Sequence, residues 1–148
     1  MSINQLYQAT IIAHNKSPRH FGVLSDATHV ARGKNPLCGD DYTLYLKVVD
    51  GIIIDAQFHG DGCAISKSSG SLMTDQIIGL DSHAFLSLSD HFLSMLTTDA
   101  QINKQILGKL AVFEGVRDYP VRVKCATLVW HAGKAAIKNR DNNTVSTE

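Results

Sequence analysis

The sequence predicts an α+β protein in which a small antiparallel sheet packs on four to five helices. Residues 42–48 and 52–59 place apolar side chains at the even positions, which is the period of a half-buried strand. Asp50 and Gly51 separate the two segments and favour a hairpin turn. Outside this hairpin, apolar residues recur at helical spacing. One hairpin among several helices is typical of the α+β class.

The charge balance and the length of the chain narrow its range of functions. Fourteen basic and fourteen acidic residues cancel over 148 residues, so nothing points to nucleic acid or an anionic membrane as a partner. No apolar run reaches transmembrane length and the N-terminus lacks a signal-peptide pattern, so we expect a cytoplasmic protein without membrane contact. We expect one domain over residues 1–140 and a disordered polar tail over 141–148.

The helices are predicted from apolar spacing and from the residues that end them. The first covers residues 2–15, ahead of Pro18, and a loop rich in glycine, proline and polar residues follows over 16–37. Small residues at the start of the next helix indicate close packing on a neighbour. The later helices are expected from about 65 to a stop at Gly79, from a cap at Ser82 to about 96, over about 100–113, and over about 121–138.

The register of the hairpin decides which residues meet at its open end. Because the even positions of both strands are apolar, even residues must pair with even residues. A three-residue loop, 49–51, satisfies this by pairing Val48 with Ile52. The same register carried to the open end places Cys38 opposite Gly62 and beside Cys63.

The three cysteines are candidates for chemistry. In a reducing compartment cysteines are more often ligands or reactive thiols than disulfides, and the odd count agrees. Cys38 follows a turn at Asn35-Pro36 and is expected near the surface. Cys63 precedes a helix whose N-terminus favours a thiolate, but a buried structural cysteine is an equal alternative. Cys125 lies on an apolar helical stripe, where a packing role is the commoner one.

Acids and cations accompany these thiols. Asp40 has the parity of Cys38, whereas Asp41 is the competing acid. Arg122 and Lys124 flank Cys125 and would stabilise a thiolate. The seven histidines are alternative ligands, but each is interpreted as a surface residue. A tetrahedral site would be filled by Cys38, Asp40, Cys63 and Cys125, with zinc as the first expectation and iron or an iron–sulfur cluster as the second.

Three motifs around the cysteines resemble the U-type iron–sulfur cluster assembly proteins, which include the Isc-type and NifU N-terminal scaffolds. They are Asn-Pro-Leu-Cys-Gly-Asp at 35–40, Gly-Asp-Gly-Cys-Ala-Ile-Ser at 60–66, and Arg-Val-Lys-Cys-Ala-Thr-Leu at 122–128. Lys124 stands where Isc-type members have a histidine, and residues 85–105 look like the extra stretch of the Suf-type branch. The chain is therefore more similar to the Suf-type (SufU-like) members.

The resemblance implies a fold, a site and partners. The family has a three-stranded antiparallel sheet, so a third strand is expected within residues 20–35. The resemblance also implies zinc bound at Cys38, Asp40, Cys63 and Cys125, and sulfur received as a persulfide on Cys38 from a SufS-like cysteine desulfurase. Arg122 and Lys124 would then give electrostatic support. Downstream partners would be iron–sulfur assembly or acceptor proteins. The chain would be a scaffold or sulfur acceptor, and at most a sulfurtransferase partner of the cysteine desulfurase.

Two other functions stay open on the sequence. One is a true cluster scaffold, in which iron or a [2Fe-2S] cluster takes the place of zinc. The other is a small interaction module with structural zinc and no sulfur transfer.

Overall fold

The computed structural model describes residues 3–138 and 143–147, and within them the chain forms five α-helices, one 3-10 helix and four strands. The predicted α+β class is confirmed. In chain order the elements are α1 Ile3–Lys16, β1 His29–Asn35, β2 Asp40–Val49, β3 Ile52–Asp61, α2 Ala64–Ile77, α3 Ser82–Thr97, α4 Lys104–Leu107, the 3-10 helix Gly108–Val116, α5 Pro120–Lys138 and β4 Asn143–Ser146.

The sheet has the order β3-β2-β1-β4. Strand β2 is antiparallel to both β1 and β3, and β4 runs parallel to β1. The third strand expected within residues 20–35 is β1. The count of three strands is one too low, because β4 forms within the stretch that was expected to be a disordered tail. Residues 141, 142 and 148 of that tail lie outside the described residues.

The hairpin turn has two residues instead of the expected three. Asp50 and Gly51 have φ angles of +52° and +77°, and two successive left-handed residues make the type I′ turn that matches strand twist. Val49 therefore pairs with Ile52. Carried along the strands, this odd-to-even pairing would bring apolar residues of one strand opposite polar residues of the other.

A β-bulge corrects the pairing directly beside the turn. The register shifts between Lys47 and Val48, so that Ile54 is the extra residue on β3. Below the bulge Leu44 pairs with Phe58, even with even. The predicted rule of pairing is thus confirmed, while the predicted partners are displaced by two residues.

The buried face of the sheet packs on α2 and α5 through small residues of α2. Gly70 is essential to this contact, because a Cβ there would lie 2.7 Å from the ring of Phe58. Ser69 crosses to α5, where its Oγ donates to the carbonyl of Ala126 at 2.6 Å and accepts from Trp130 Nε1 at 3.1 Å. The predicted close packing of this helix on a neighbour is confirmed.

Two helix ends differ from their prediction. Asp81, and not Ser82, caps α3, because its carboxylate accepts from the N–H of Ala84 at 2.7 Å. The helix expected over about 100–113 is divided, since Gly108 adopts a φ of +54° after the single turn of α4 and a 3-10 helix follows. Among the described helices, none is long and apolar enough to cross a membrane.

Candidate metal centre

Cys38 lies in the short turn that joins β1 to β2, at the loop–strand junction expected from the sequence. Its backbone N–H donates to the carbonyl of Asn35 at 3.2 Å. Gly39, with a φ of +71°, then takes the chain into β2. The thiol is half-buried and so lies close to solvent.

Asp40 is a buried acid at the first position of β2, and its side chain is only 2% exposed. Its Oδ1 accepts from the N–H of Cys63 at 2.8 Å and from Ser66 Oγ at 3.0 Å. Its Oδ2 has only longer contacts, at 3.4 Å to Asn35 Nδ2 and 3.9 Å to Cys63 Sγ. One oxygen is therefore fully engaged, and the other faces the cysteines.

The corrected register explains why Asp40 meets Cys63. Asp41 pairs with Asp61, the last pair at the open end of the hairpin. The next residues beyond this pair are Asp40 on one strand and Gly62 on the other. A Cβ on Gly62 would lie 2.5 Å from Asp40 Oδ1, so glycine is needed for the approach. Asp40, and not Cys38, is the neighbour that the hairpin itself brings to Cys63.

Cys63 caps the N-terminus of α2 with its sulfur. The sulfur accepts from the N–H of Ser66 at 3.4 Å. A hydrogen bond from the thiol of Cys125, together with this N–H, lowers the pKa of Cys63 to about 6. The predicted helix start thus does favour a thiolate at this position.

Cys125 reaches the same place from the first turns of α5 and is 2% exposed. Its Sγ accepts from Asn35 Nδ2 at 3.6 Å. Donation of its proton to Cys63, together with burial, raises the pKa of the Cys125 thiol. The apolar stripe correctly predicted burial, but the sulfur lies at the polar end of that stripe.

The ligand atoms of Cys38, Asp40 and Cys125 lie within 4.8 Å of one another. Around a zinc ion with bonds of about 2.0–2.3 Å, tetrahedral ligand atoms lie roughly 3.5–3.8 Å apart, so a small contraction would close the set. Cys63 stands beside this group, with its Sγ 3.9 Å from Asp40 Oδ2. The donor set of thiols and one carboxylate fits zinc, and the ligand roles of the four residues stay a prediction.

The two flanking cations lie in different places. Arg122 stacks over the ring of Tyr119 at 4.6 Å. Burial raises the pKa of Tyr7, and the charge and hydrogen bond of Arg122 offset part of this rise, while the nearby charge of Cys63 adds to it. Arg122 and Cys63 thus both lie near Tyr7. Lys124 instead lines a groove between α5 and β4 with Val145.

The other candidate ligands lie apart from this group. Asp41, the competing acid, accepts a hydrogen bond from Arg32 Nε at 2.8 Å, and that hydrogen bond lowers the pKa of Asp41. His59 contacts the ring of Phe21, with ring centroids 5.0 Å apart. Within the described residues, the group that could hold a metal contains no histidine. The preference for Asp40 over Asp41 by strand parity agrees with these positions.

Asn35 and Ser66 are functional candidates that local sequence patterns do not single out. Both side chains are fully buried, and both donate hydrogen bonds to Asp40. Asn35 precedes a proline and is expected at a turn, while Ser66 is one of the small residues at the start of a predicted helix. The sequence offered two signals for them: Ser66 lies three positions after Cys63, and Asn35 lies three positions before Cys38.

The fold and the cluster define a small α+β protein with a thiol-rich candidate metal centre at one end of its sheet. The family profile described as NifU-like N terminal domain matches residues 6–126. The chain belongs to this family, which confirms the resemblance to the U-type proteins.

Named relatives cover most of the chain. A Streptococcus pyogenes serotype M1 protein named iron-sulfur cluster assembly scaffold protein IscU is 39% identical over 140 residues, which cover 95% of this chain and 87% of that protein. A Bacillus subtilis (strain 168) protein named zinc-dependent sulfurtransferase SufU is 40% identical over 131 residues, 88% of each chain. A solved N-terminal structure of a nitrogen-fixing NifU-like protein from Brucella abortus has a TM-score of 0.83 at 26% identity, covering 93% of this chain and 96% of that one.

Proposed function

We propose that this protein acts in iron–sulfur cluster assembly by accepting sulfur on Cys38 from a SufS-like cysteine desulfurase. The observation that carries the proposal is the convergence of Cys38, Cys63 and Cys125 on the buried carboxylate of Asp40. The relative named as a zinc-dependent sulfurtransferase, at 40% identity, supports the same activity.

Zinc is the metal that this donor set suits best, with Cys38, Asp40, Cys63 and Cys125 as the four ligands. Bound zinc would keep the thiols deprotonated near neutral pH. Asp40 is the hardest donor of the four and is already bound through Oδ1 by Cys63 and Ser66. Its Oδ2 is the atom available as a ligand.

Sulfur transfer then needs one thiol–persulfide exchange, between Cys38 and the persulfide of the desulfurase. The Cys38 thiolate attacks the terminal sulfur of the persulfide on the desulfurase. A sulfur–sulfur bond forms at Cys38, the sulfur–sulfur bond of the partner breaks, and the partner cysteine leaves as a thiolate. No external oxidant or reductant is required, because one persulfide is replaced by another.

Access favours Cys38 over Cys125, and freedom from a helix end distinguishes Cys38 from Cys63, which is also half-buried. Cys38 is half-buried in a turn beside Leu37, whose side chain is 65% exposed and open to a partner. Cys63 is held by the N-terminus of α2, and Cys125 is 2% exposed. Arg122 and Lys124 would give the new persulfide anion electrostatic support, although Lys124 also lines the groove beside β4.

The test is mass spectrometry of persulfide position after brief exposure of the purified protein to a cysteine desulfurase and cysteine. We expect the added sulfur first on Cys38, and its loss in Cys38→Ser while the fold is kept. Sulfur that appears first on Cys125, with Cys38 unmodified, would contradict the proposal.

A cluster scaffold is the second candidate, because a relative named as a scaffold is 39% identical over 95% of this chain. Thiolates are also the usual ligands of [2Fe-2S] clusters. Anaerobic addition of iron and sulfide, followed by visible absorption, separates the candidates, since only a scaffold develops stable cluster bands. A structural-zinc module is recognised by two results together: metal removal unfolds the chain, and a desulfurase transfers no sulfur to it.

A further inference from the structure

Asn35, the last residue of β1, contacts three of the four predicted ligands. Its carbonyl accepts from the N–H of Cys38 at 3.2 Å. Its side-chain Nδ2 lies 3.4 Å from Asp40 Oδ2 and 3.6 Å from Cys125 Sγ. The side chain is 0% exposed, so water does not compete for these contacts.

The orientation of this amide follows from its neighbours. A carboxylate oxygen can only accept, so the NH₂ group of Asn35 must face Asp40, and the same group then faces Cys125 Sγ. The Oδ1 atom is then left buried without a hydrogen-bond partner among the described residues. An unpaired buried oxygen weakens the fold, so packing alone does not explain an asparagine here.

The two oxygens of Asp40 show what the amide does. Oδ1 is engaged by the N–H of Cys63 and by Ser66 Oγ. Oδ2 has Asn35 as its nearest nitrogen donor, and this is the oxygen directed at the cysteines. The amide of Asn35 therefore fixes the direction of Oδ2 and holds it near Cys125 Sγ.

We propose that Asn35 is a positioning residue that sets how firmly the centre retains its metal. Asn35 aligns Asp40 Oδ2 with Cys125 Sγ before the metal binds and donates to both atoms afterwards. The inference rests on the metal site of the proposed function but not on its sulfur-transfer step. Groups that orient metal ligands in this way typically change metal affinity roughly 10–100-fold when they are removed.

The experiment compares zinc retention in two variants of Asn35. Asn35→Asp keeps the size of the side chain but exchanges its donors for acceptors, and Asn35→Leu keeps a similar volume without any polar atom. We expect zinc affinity, measured by competition with a chromogenic chelator, to fall roughly 10–100-fold in both. With cobalt in place of zinc, the thiolate-to-metal absorption bands should shift in both variants.

Ser71→Ala is the matched control for lost stability. Ser71 is also fully buried, and its Oγ is bonded to His14 Nδ1 at 2.6 Å and to the N–H of Arg19 at 2.7 Å, away from the metal centre. This variant should lower the melting temperature but leave zinc affinity and the cobalt spectrum unchanged.

Each outcome decides the inference. Wild-type zinc affinity and an unchanged cobalt spectrum in both Asn35 variants would overturn it. Failure of both variants to fold would also overturn it, because Asn35 would then be a structural residue. A wild-type chain that binds no zinc would overturn the metal site as well. The expected Asn35 effects in a protein that takes up no sulfur would support the inference and contradict the proposed function.

Discussion

The two ends of the β2–β3 hairpin differ in which side chains they bury. At the turn end, apolar residues face solvent: Val49 is 43% exposed, Ile52 37% and Ile54 46%. At the open end, the carboxylate of Asp40 is 2% exposed and is surrounded by hydrogen-bond donors. Burial of a carboxylate is costly unless each oxygen is matched. At the open end Oδ1 is matched, whereas Oδ2 has only longer contacts, at 3.4 Å and 3.9 Å. An incompletely matched buried oxygen is expected where a carboxylate serves a metal and not the fold.

The largest effect is expected from loss of a ligand at the open end. Cys125→Ser replaces a thiolate by a hydroxyl that stays protonated, so zinc affinity should fall by more than the roughly 10–100-fold typical of residues that only orient ligands. Metal analysis of the purified variant measures this. Val49→Ser places the same hydroxyl at the turn end and should leave the zinc content unchanged. Full zinc content in Cys125→Ser would assign that cysteine to packing alone.

A slightly smaller effect is expected when the open end is crowded. In Gly62→Ala the new Cβ would lie 2.5 Å from Asp40 Oδ1 and 2.7 Å from Ser66 Oγ. Overpacking of this kind typically costs about 1–3 kcal/mol, and it would also displace the carboxylate. We expect a lower unfolding midpoint together with reduced zinc content. Normal zinc content would show that Asp40 can move without harm to the site.

The thiols of the open end should differ from one another in the metal-free protein. Because its pKa is lowered to about 6, Cys63 is a thiolate above that pH, while Cys125 has a raised pKa and stays protonated. Alkylation by iodoacetamide should therefore rise at Cys63 through a midpoint near pH 6, with Cys125 unmodified at neutral pH. Peptide mass spectrometry over a pH series measures both sites. A Cys63 midpoint near that of an ordinary thiol would contradict the assigned hydrogen bonds.

The sequence predicted the face of β2 on which Asp40 lies, but not the residue of the neighbouring strand that lies opposite Asp40. Parity was enough to prefer Asp40 over Asp41, because alternation is a local property. The bulge at Ile54 was hidden, since three isoleucines in a row at 52–54 fit either register. The actual register follows from the two left-handed residues of the turn and from the burial of Leu44 and its partners.

Two other features depend on contacts that no local pattern encodes. Strand β4 has the sequence Asn-Thr-Val-Ser, with one apolar residue, and it forms because the edge of β1 offers backbone partners. The sequence predicts a turn at Asn35, before a proline. Only the packing of α5 against β1 makes Asn35 a buried neighbour of Cys125. Local patterns thus predicted the elements and the candidate ligands, while tertiary contacts determined how the ligands are held.

The smallest effect is expected at the turn end, from Gly51→Ala. Gly51 has a φ of +77°, and no described atom lies within 4 Å of a Cβ built there, so the change adds strain without a clash. A left-handed residue other than glycine costs about 1–2 kcal/mol. Denaturant unfolding should show a loss of this size, with zinc content and alkylation of Cys63 as in the wild type. Because Gly62→Ala and Gly51→Ala add the same methyl group at opposite ends of one hairpin, equal zinc loss in both would contradict the separation between them.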